Sequence, residues 1–378
     1  MEHNICEILI SIIRSAFGIP VDSFEIDASI IPEIEMISVK HNILPIVTAG
    51  MKNLNLADLL SENMIQSEAK SIYDYTQRKV SLTEISNVFE IAAIPYIPLK
   101  GSVLRDYYPY PWMRTSSDID VLIQKKDLDK AISLINSNSS FKCYKIARHD
   151  AHFINQFVHL ELHYNFEYGV EKIDVALADP WKYAVKCNGS WKFDFTSEYL
   201  LFYIICHAAK HLIQNGGVGI RSILDIYLLT INTIYNEENV KALCDSAGVL
   251  GFFNACVKLI NVWFNNVDYD KFSKEFEEFI VSGGVFGSSQ LKILSNKRRD
   301  QGKNYLFSRV FKSRKELQKS YPKLKKYPFL LPWYQIKRWI YLIKLKHSKE
   351  FLSEIKNSNS ITQQDVDKYD EIMNAMGL

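Results

Sequence analysis

"LKGSVLRDYYPYPWMRTSSDIDVLI" (residues 99–123) places two aspartates one residue apart at the head of an apolar run. A strand turns its side chains over at each step. Asp118 and Asp120 therefore share one face, while Ile119 and Val121 point the other way, into a core. Two like charges held side by side are costly unless a cation lies between them. Upstream, "IPLKGS" (97–102) ends an apolar strand at Gly101-Ser102, and "SVLRDYY" (102–108) reads as the opening of a helix. A helix N-terminus offers free backbone N–H groups to phosphate, and glycine lets a ligand approach the backbone. Strand, Gly-Ser turn, helix and a strand opening Asp-x-Asp form an arrangement suited to phosphoryl or nucleotidyl transfer. The turn takes phosphates, and the carboxylates hold divalent ions that stabilise the attacking and leaving oxygens. All-oxygen ligands select Mg2+ or Mn2+.

Around this stretch the pattern changes twice. "NICEILISIIRSAF" (4–17) repeats apolar residues at helical spacing and stops at Gly18-Ile19-Pro20. Residues 58–93 read as one long or two shorter amphipathic helices, ended by Pro95. Between Ile94 and Phe195 come short apolar or alternating runs, "YIPLK", "DIDVLIQ", "CYKIAR", "HLELHYNF" and "WKFDF", with a helix over 125–138. From Thr196 and Ser197, candidate N-caps, the helical period returns to the end of the sequence. "SGGVFGSS" (282–289) is a flexible joint, and "YPKLKKYPFLLPW" (321–333) a proline-broken connector. The expected class is α+β: an N-terminal helical region (1–93), a small mixed-sheet core (94–195) and a C-terminal helical domain (196–378).

These residues carry a resemblance. The stretch is similar to the nucleotidyltransferase superfamily that includes DNA polymerase β, the kanamycin and lincosamide nucleotidyltransferases and the minimal nucleotidyltransferases. More closely it resembles a bacterial branch with an "LKG…R…DIDLLV" signature. The likeness continues through "HLELHYNF" and "LLFYIICHAAKH…RSILDIYLL", and more weakly through "KHNILPIVTAGM" (40–51) and the basic C-terminal segment. The Ser-Ser before Asp118 departs from the bulkier residue commoner there. The resemblance implies a magnesium-dependent transfer of a nucleoside monophosphate from a nucleoside triphosphate to an acceptor. It also implies a third carboxylate on a later strand, matched by Glu161. There the acid ligates metal or acts as general base.

His159 and His163 lie two residues either side of Glu161 on the same strand face. They give a rival reading as a His-Glu-His transition-metal site, while His163 alone reads as support for the carboxylate. Asp174 reads as structural. Lys100 and Arg114 are the basic residues best placed for a triphosphate, with Arg105 one helical turn into "SVLRDYY". Farther on, His207 and His211 share a helix face with Lys210 beside them, and Arg221 and Asp225 form an i,i+4 pair on the next helix. These groups either face the cleft over phosphate or, for Arg221 and Asp225, form a buried ion pair. "GGVGIR" (216–221) looks like a dinucleotide loop but lies between helices, and no GxxxxGK[ST] occurs.

The remaining composition narrows the class. Apolar residues make up 47% and charged residues 23%, as in a globular protein. Six scattered cysteines without a CxxC pair argue against a structural zinc site and a disulfide framework and fit a cytoplasmic protein. No signal peptide is read, and the longest apolar block, "YLLFYIICHAA" (199–209), is too short to span a bilayer. Net charge is +2, yet residues 292–349 carry 18 Lys and Arg against Asp300 and Glu316. That asymmetry suggests a meeting with something anionic, whether nucleic acid, a triphosphate or an acidic face of the same protein, and the alternative is a solvated helical surface. The apolar residues of "LPWYQIKRWIYLI" (331–343), Trp333, Trp339, Ile340, Leu342 and Ile343 among them, recur at helical spacing and predict packing against the body. The acceptor stays open between small molecule, protein and RNA; an RNA-binding protein and a non-catalytic nucleotide-binding relative are the alternatives.

Overall fold

The computed structural model describes residues 5–22, 26–284, 287–299, 311–344 and 361–378. Five strands form one mixed sheet: β1 (Tyr96–Leu99), β2 (Asp118–Ile123), β3 (Lys142–Ile146), β4 (Asp150–Ile154) and β5 (His159–His163). Their order is β1-β2-β5-β4-β3, with β2 and β5 parallel and every other pair antiparallel. The fold is α+β. Strand β4, "DAHFI", was not among the expected strands, because its polar start and short apolar content hide the alternation. It nevertheless sits inside the sheet, paired on both sides.

The two sheet faces meet different cores. Ile119, Val121 and Ile123 of β2, with Leu160 and Leu162 of β5, pack against Ile85, Val88 and Phe89 and against Ala131 and Ile135. The first three belong to α4 (Glu62–Ala92) and the last two to α6 (Leu128–Asn138). Helix α4 is one helix, started by Ser61, whose hydroxyl accepts from Met64 N–H, and ended by Ala93 in the left-handed region at φ 56°. The opposite face, with Leu99 and Leu122, joins a second and larger core. That core includes α1 (Ile5–Ala16) and α3 (Leu44–Asn53) together with α8 (Ser197–Asn215), α9 (Ile220–Asn232) and α11 (Leu250–Phe264). Residues of both the 1–93 and 196–378 regions thus bury their apolar surface in common. The side chains of Asp118 and Asp120 project from this second face, between sheet and helices.

At the C-terminal end, Tyr369, Ile372 and Met373 of the helix Gln363–Ala375 are buried in the larger core. The helix Leu331–Lys344 behaves differently from expectation. Trp333, Ile336, Ile340 and Tyr341 are exposed, and among the described residues this helix packs on the adjacent turns of 314–330. The side chains of Leu342 and Ile343, parts of the basic segment (300–310 and 345–349) and the centre of the 282–289 joint (285–286) lie outside the described residues. Among the described residues no helix is long and apolar enough to cross a membrane.

Candidate active site

Strand pairing builds the acidic face. The parallel register sets Asp118 beside His159 and Asp120 beside Glu161, and the antiparallel register sets Leu99 beside Asp120. Lys100 follows Leu99 directly, and its ammonium reaches Asp120 Oδ1 at 2.6 Å. His163 Nε2 meets the same oxygen at 2.8 Å and lies 3.5 Å from Glu161 Oε2. The cation that the paired aspartates require is therefore, in the protein alone, a lysine. Burial works against ionisation of Asp120, but Lys100 and His163 outweigh it and hold the carboxyl well below the usual range. Burial likewise opposes a charge on His163, yet its bonds to Asp120 and Glu161 raise its pKa. Glu161 is lowered chiefly by the bond to His163. Asp118 moves the other way: burial first, then the charge of Asp120, push it up.

That imbalance fits a divalent cation. Three carboxylates share one face, and the ligand atoms of Asp120, Glu161 and His163 lie within 4.8 Å of one another. Lys100 bonds to Asp120 and its charge also favours ionisation of Asp118 and Glu161, yet burial and Asp120 leave the pKa of Asp118 raised. The carboxylates of Asp118, Asp120 and Glu161 are hard oxygen donors that suit Mg2+ or Mn2+, with Asp118 standing outside the tighter Asp120–Glu161–His163 cluster.

A cavity of about 710 Å³ opens beside this face. Its wall includes Asp118, Asp120, Lys100, Gly101, Lys210, His207, His211 and Arg221, all expected from the sequence. It also includes Arg78, which sequence reasoning missed. Lys70, Asp74 and Arg78 recur every four residues along α4, and all three line the cavity; that charged stripe was the available signal. Arg78 is buried, and its Nε has no hydrogen-bond partner among the described residues. Burial lowers the pKa of Lys210 and sets His211 at about 4, with Lys210 the next cause, so His211 is neutral near pH 7. Burial also lowers His207 well below its ordinary value.

Four expectations need correction. Arg114 lines the cavity with Asp225 but is already paired to it: its Nε and Nη2 donate to the two oxygens of Asp225 at 2.7 and 2.8 Å, and Tyr108 Oη donates to Asp225 at 2.8 Å. The anticipated Arg221–Asp225 pair is replaced by this one, and Arg221 Nη1 instead donates to the Thr115 carbonyl at 3.1 Å. Arg105 donates to the Gly101 carbonyl and, at 3.1 Å, to Ser116 Oγ; it braces the turn and is absent from the cavity wall. Finally, the helix after the turn is a single turn (Gly101–Leu104) running into a 3-10 turn, too short for a strong dipole. Ser102 does not line the cavity.

The turn itself has an uncommon backbone. Positive φ falls on Lys100, at 46°, and not on Gly101. Such a conformation costs on the order of 1–3 kcal/mol and aims the lysine at Asp120. Gly101 is needed for space: a Cβ there would stand 2.9 Å from Ser116 Cβ. The small Ser-Ser pair before Asp118 thus packs on the glycine. Asp174 accepts from Tyr168 and Gly169 N–H at 2.6 and 2.9 Å, a turn brace as read.

Comparison with known proteins bears on this geometry. The family described as "Uncharacterised nucleotidyltransferase" matches residues 32–265, more than half of the chain. No curated protein matches the sequence. Among solved structures, the solution structure of antibiotic-resistance factor ANT(2'')-Ia is similar with a TM-score of 0.34 and 11% identity. The match covers 51% of this chain and 99% of that one.

Proposed function

The chain belongs to the uncharacterised nucleotidyltransferase family, and from that premise we propose that it moves a nucleoside monophosphate from a nucleoside triphosphate to an acceptor hydroxyl. The acceptor oxygen bonds to the α-phosphorus, the bond to pyrophosphate breaks, and the hydroxyl proton leaves to the acidic face. The observation that carries this reading is the carboxylate row of Asp118, Asp120 and Glu161, in register across β2 and β5, beside a cavity rimmed with cations. Mg2+ or Mn2+ held by Asp118, Asp120 and Glu161 would supply charge stabilisation for the entering and leaving oxygens. The chain's own cations do the rest. Lys100, Arg78, Lys210 and Arg221 bind and orient the phosphates, and Gly101 lets them approach the backbone. Phe157, exposed at the cavity wall, offers a ring on which the base stacks.

Incubation of the protein with each α-labelled nucleoside triphosphate and Mg2+, with and without cell extract, tests the reading. Transfer of label to a product, lost in Asp118→Asn, supports it; absence of both binding and transfer with all four nucleotides refutes it. A second reading places RNA as the acceptor. Exposed Phe329, Trp333 and Tyr341 among lysines of the C-terminal segment favour it, since aromatic rings and cations together hold single strands. Such binding should weaken steeply with salt.

A further inference from the structure

On the same sheet face, toward the β4–β3 edge and with His159 in register beside Asp118, two imidazoles converge on Glu161. His152 lies directly across from it on β4, and His159 stands two residues before it on β5. His152 Nδ1 is 3.7 Å and His159 Nδ1 3.9 Å from Glu161 Oε1, and the two rings stack at 5.4 Å and 17°. The three donor atoms all lie within 4.8 Å of one another. These contacts are too long for hydrogen bonds. They are close to the spacing around a tetrahedral ion, whose ligands at about 2.0–2.1 Å stand roughly 3.3–3.5 Å apart.

The atoms behind the donors fit the same purpose. His159 Nε2 is bonded to Tyr144 Oη at 2.8 Å, and His152 Nε2 lies 3.2 Å from the buried Asp150 Oδ1. His159 therefore has one nitrogen bonded from behind, His152 has the Asp150 carboxylate close to one nitrogen without a hydrogen bond, and the other nitrogen of each ring is turned to Glu161 Oε1. That is the outer-shell support a metal-binding histidine needs. Glu161 divides its oxygens, with Oε2 toward His163 and Asp120 and Oε1 toward His152 and His159. The His159–Glu161–His163 trio of the rival reading thus splits, and His152 takes the place of His163.

We propose that His152, His159 and Glu161 form a second metal site, for Zn2+ or a similar divalent ion that favours imidazole, with a position left open to solvent. Two nitrogen donors and one carboxylate select such an ion over Mg2+. Both histidines are half-buried, so the ion can enter. The site shares Glu161 with the acidic face but does not depend on nucleotidyl transfer.

The test is titration of the chelator-stripped full-length protein with Zn2+, in excess Mg2+, against a chromophoric chelator. Co2+ serves as the spectroscopic substitute. One equivalent of Zn2+ and the visible bands of four- or five-coordinate Co2+ are expected. His152→Asn with His159→Asn removes that equivalent, while the melting curve and Mg-nucleotide binding remain. Tyr144→Phe, an exposed change that keeps the fold, lowers Zn2+ affinity roughly 10–100-fold. No Zn2+ equivalent in the parent, or parental affinity in the double variant or in Tyr144→Phe, overturns the site. Nucleotide binding, measured on the same samples, separates that failure from failure of the transfer reading.

Discussion

Asp118→Asn and Asp120→Asn make one chemical change on one strand face, two residues apart, and the structure gives them opposite effects on stability. Asp120 is buried and accepts from Lys100 at 2.6 Å and His163 at 2.8 Å. Removing one member of a buried ion pair costs about 3–5 kcal/mol. The amide oxygen of asparagine still accepts a hydrogen bond, and Lys100 still feels Glu161, so about 2–3 kcal/mol is expected. Asp118 accepts from Ser117 Oγ at 3.2 Å and forms no ion pair among the described residues. Its charge is opposed by burial and by Asp120, so Asp118→Asn should leave the melting temperature unchanged or raise it.

The pH dependence follows the same division. A lowered folded-state pKa stabilises above the unfolded value, about 3.9 for aspartate, and that stability is lost as pH falls through the folded value. The deficit of Asp120→Asn is then full at pH 7 and narrows only in strong acid. The raised pKa of Asp118 makes its ionisation a penalty that sets in as pH rises through the folded value, so Asp118→Asn gains nothing in acid. Thermal melts with chelator and no nucleotide, at neutral and acid pH, measure both. A loss of several degrees for Asp120→Asn is expected at pH 7. Equal shifts of the same sign in the two variants would refute the assignment of Lys100 and His163 to Asp120.

Gly101→Ala should cost about 1–3 kcal/mol by overpacking against Ser116 and weaken nucleotide binding in a calorimetric titration. Arg114→Leu should lose about 3–5 kcal/mol in urea unfolding, and adding Asp225→Leu should recover much of it; a phosphate-binding Arg114 would show no such recovery. Arg78→Gln should lower triphosphate affinity about 10–100-fold, the loss of one charged hydrogen bond, with little change in melting. Phe157→Ala should cost about 1–3 kcal/mol of nucleotide affinity, read by titration, if the base stacks there.

The parts of the site that depend on strand periodicity were legible in the sequence. Alternation along 118–123 and 159–163 fixed which side chains share a face, and the register then brought Glu161 beside Asp120. Arg114 shows what spacing omits. Four residues before Asp118 it looked like a phosphate ligand, but its partner, Asp225, is 111 residues away on another helix. Lys100 carries the same lesson in smaller form, since only the fold shows that its ammonium lies on Asp120. His152 was missed because its strand was missed: "DAHFI" declares itself only through its neighbours on both sides. Trp333 and Ile340 were misread from helical spacing alone, which tells which residues align but not whether anything covers them.

The two cores also set an order of events during synthesis. The smaller is assembled from residues 85–162, a span that leaves the ribosome early and together. The larger draws on Cys6, Ile12 and Ile46, takes in Leu99 and Leu122 from the other face of the sheet, and adds Leu201, Phe253 and Phe276 and then Ile372 and Met376. Domains fold as units in the sequence they emerge. The sheet can therefore consolidate while α1 and α3 still carry an uncovered apolar surface through the residues between Asn53 and Ser197. Shielding by a holding chaperone, or a pause in translation, would matter most in that interval. A nascent chain halted before the last helix would have a finished sheet core beside a larger core still missing Tyr369, Ile372 and Met373.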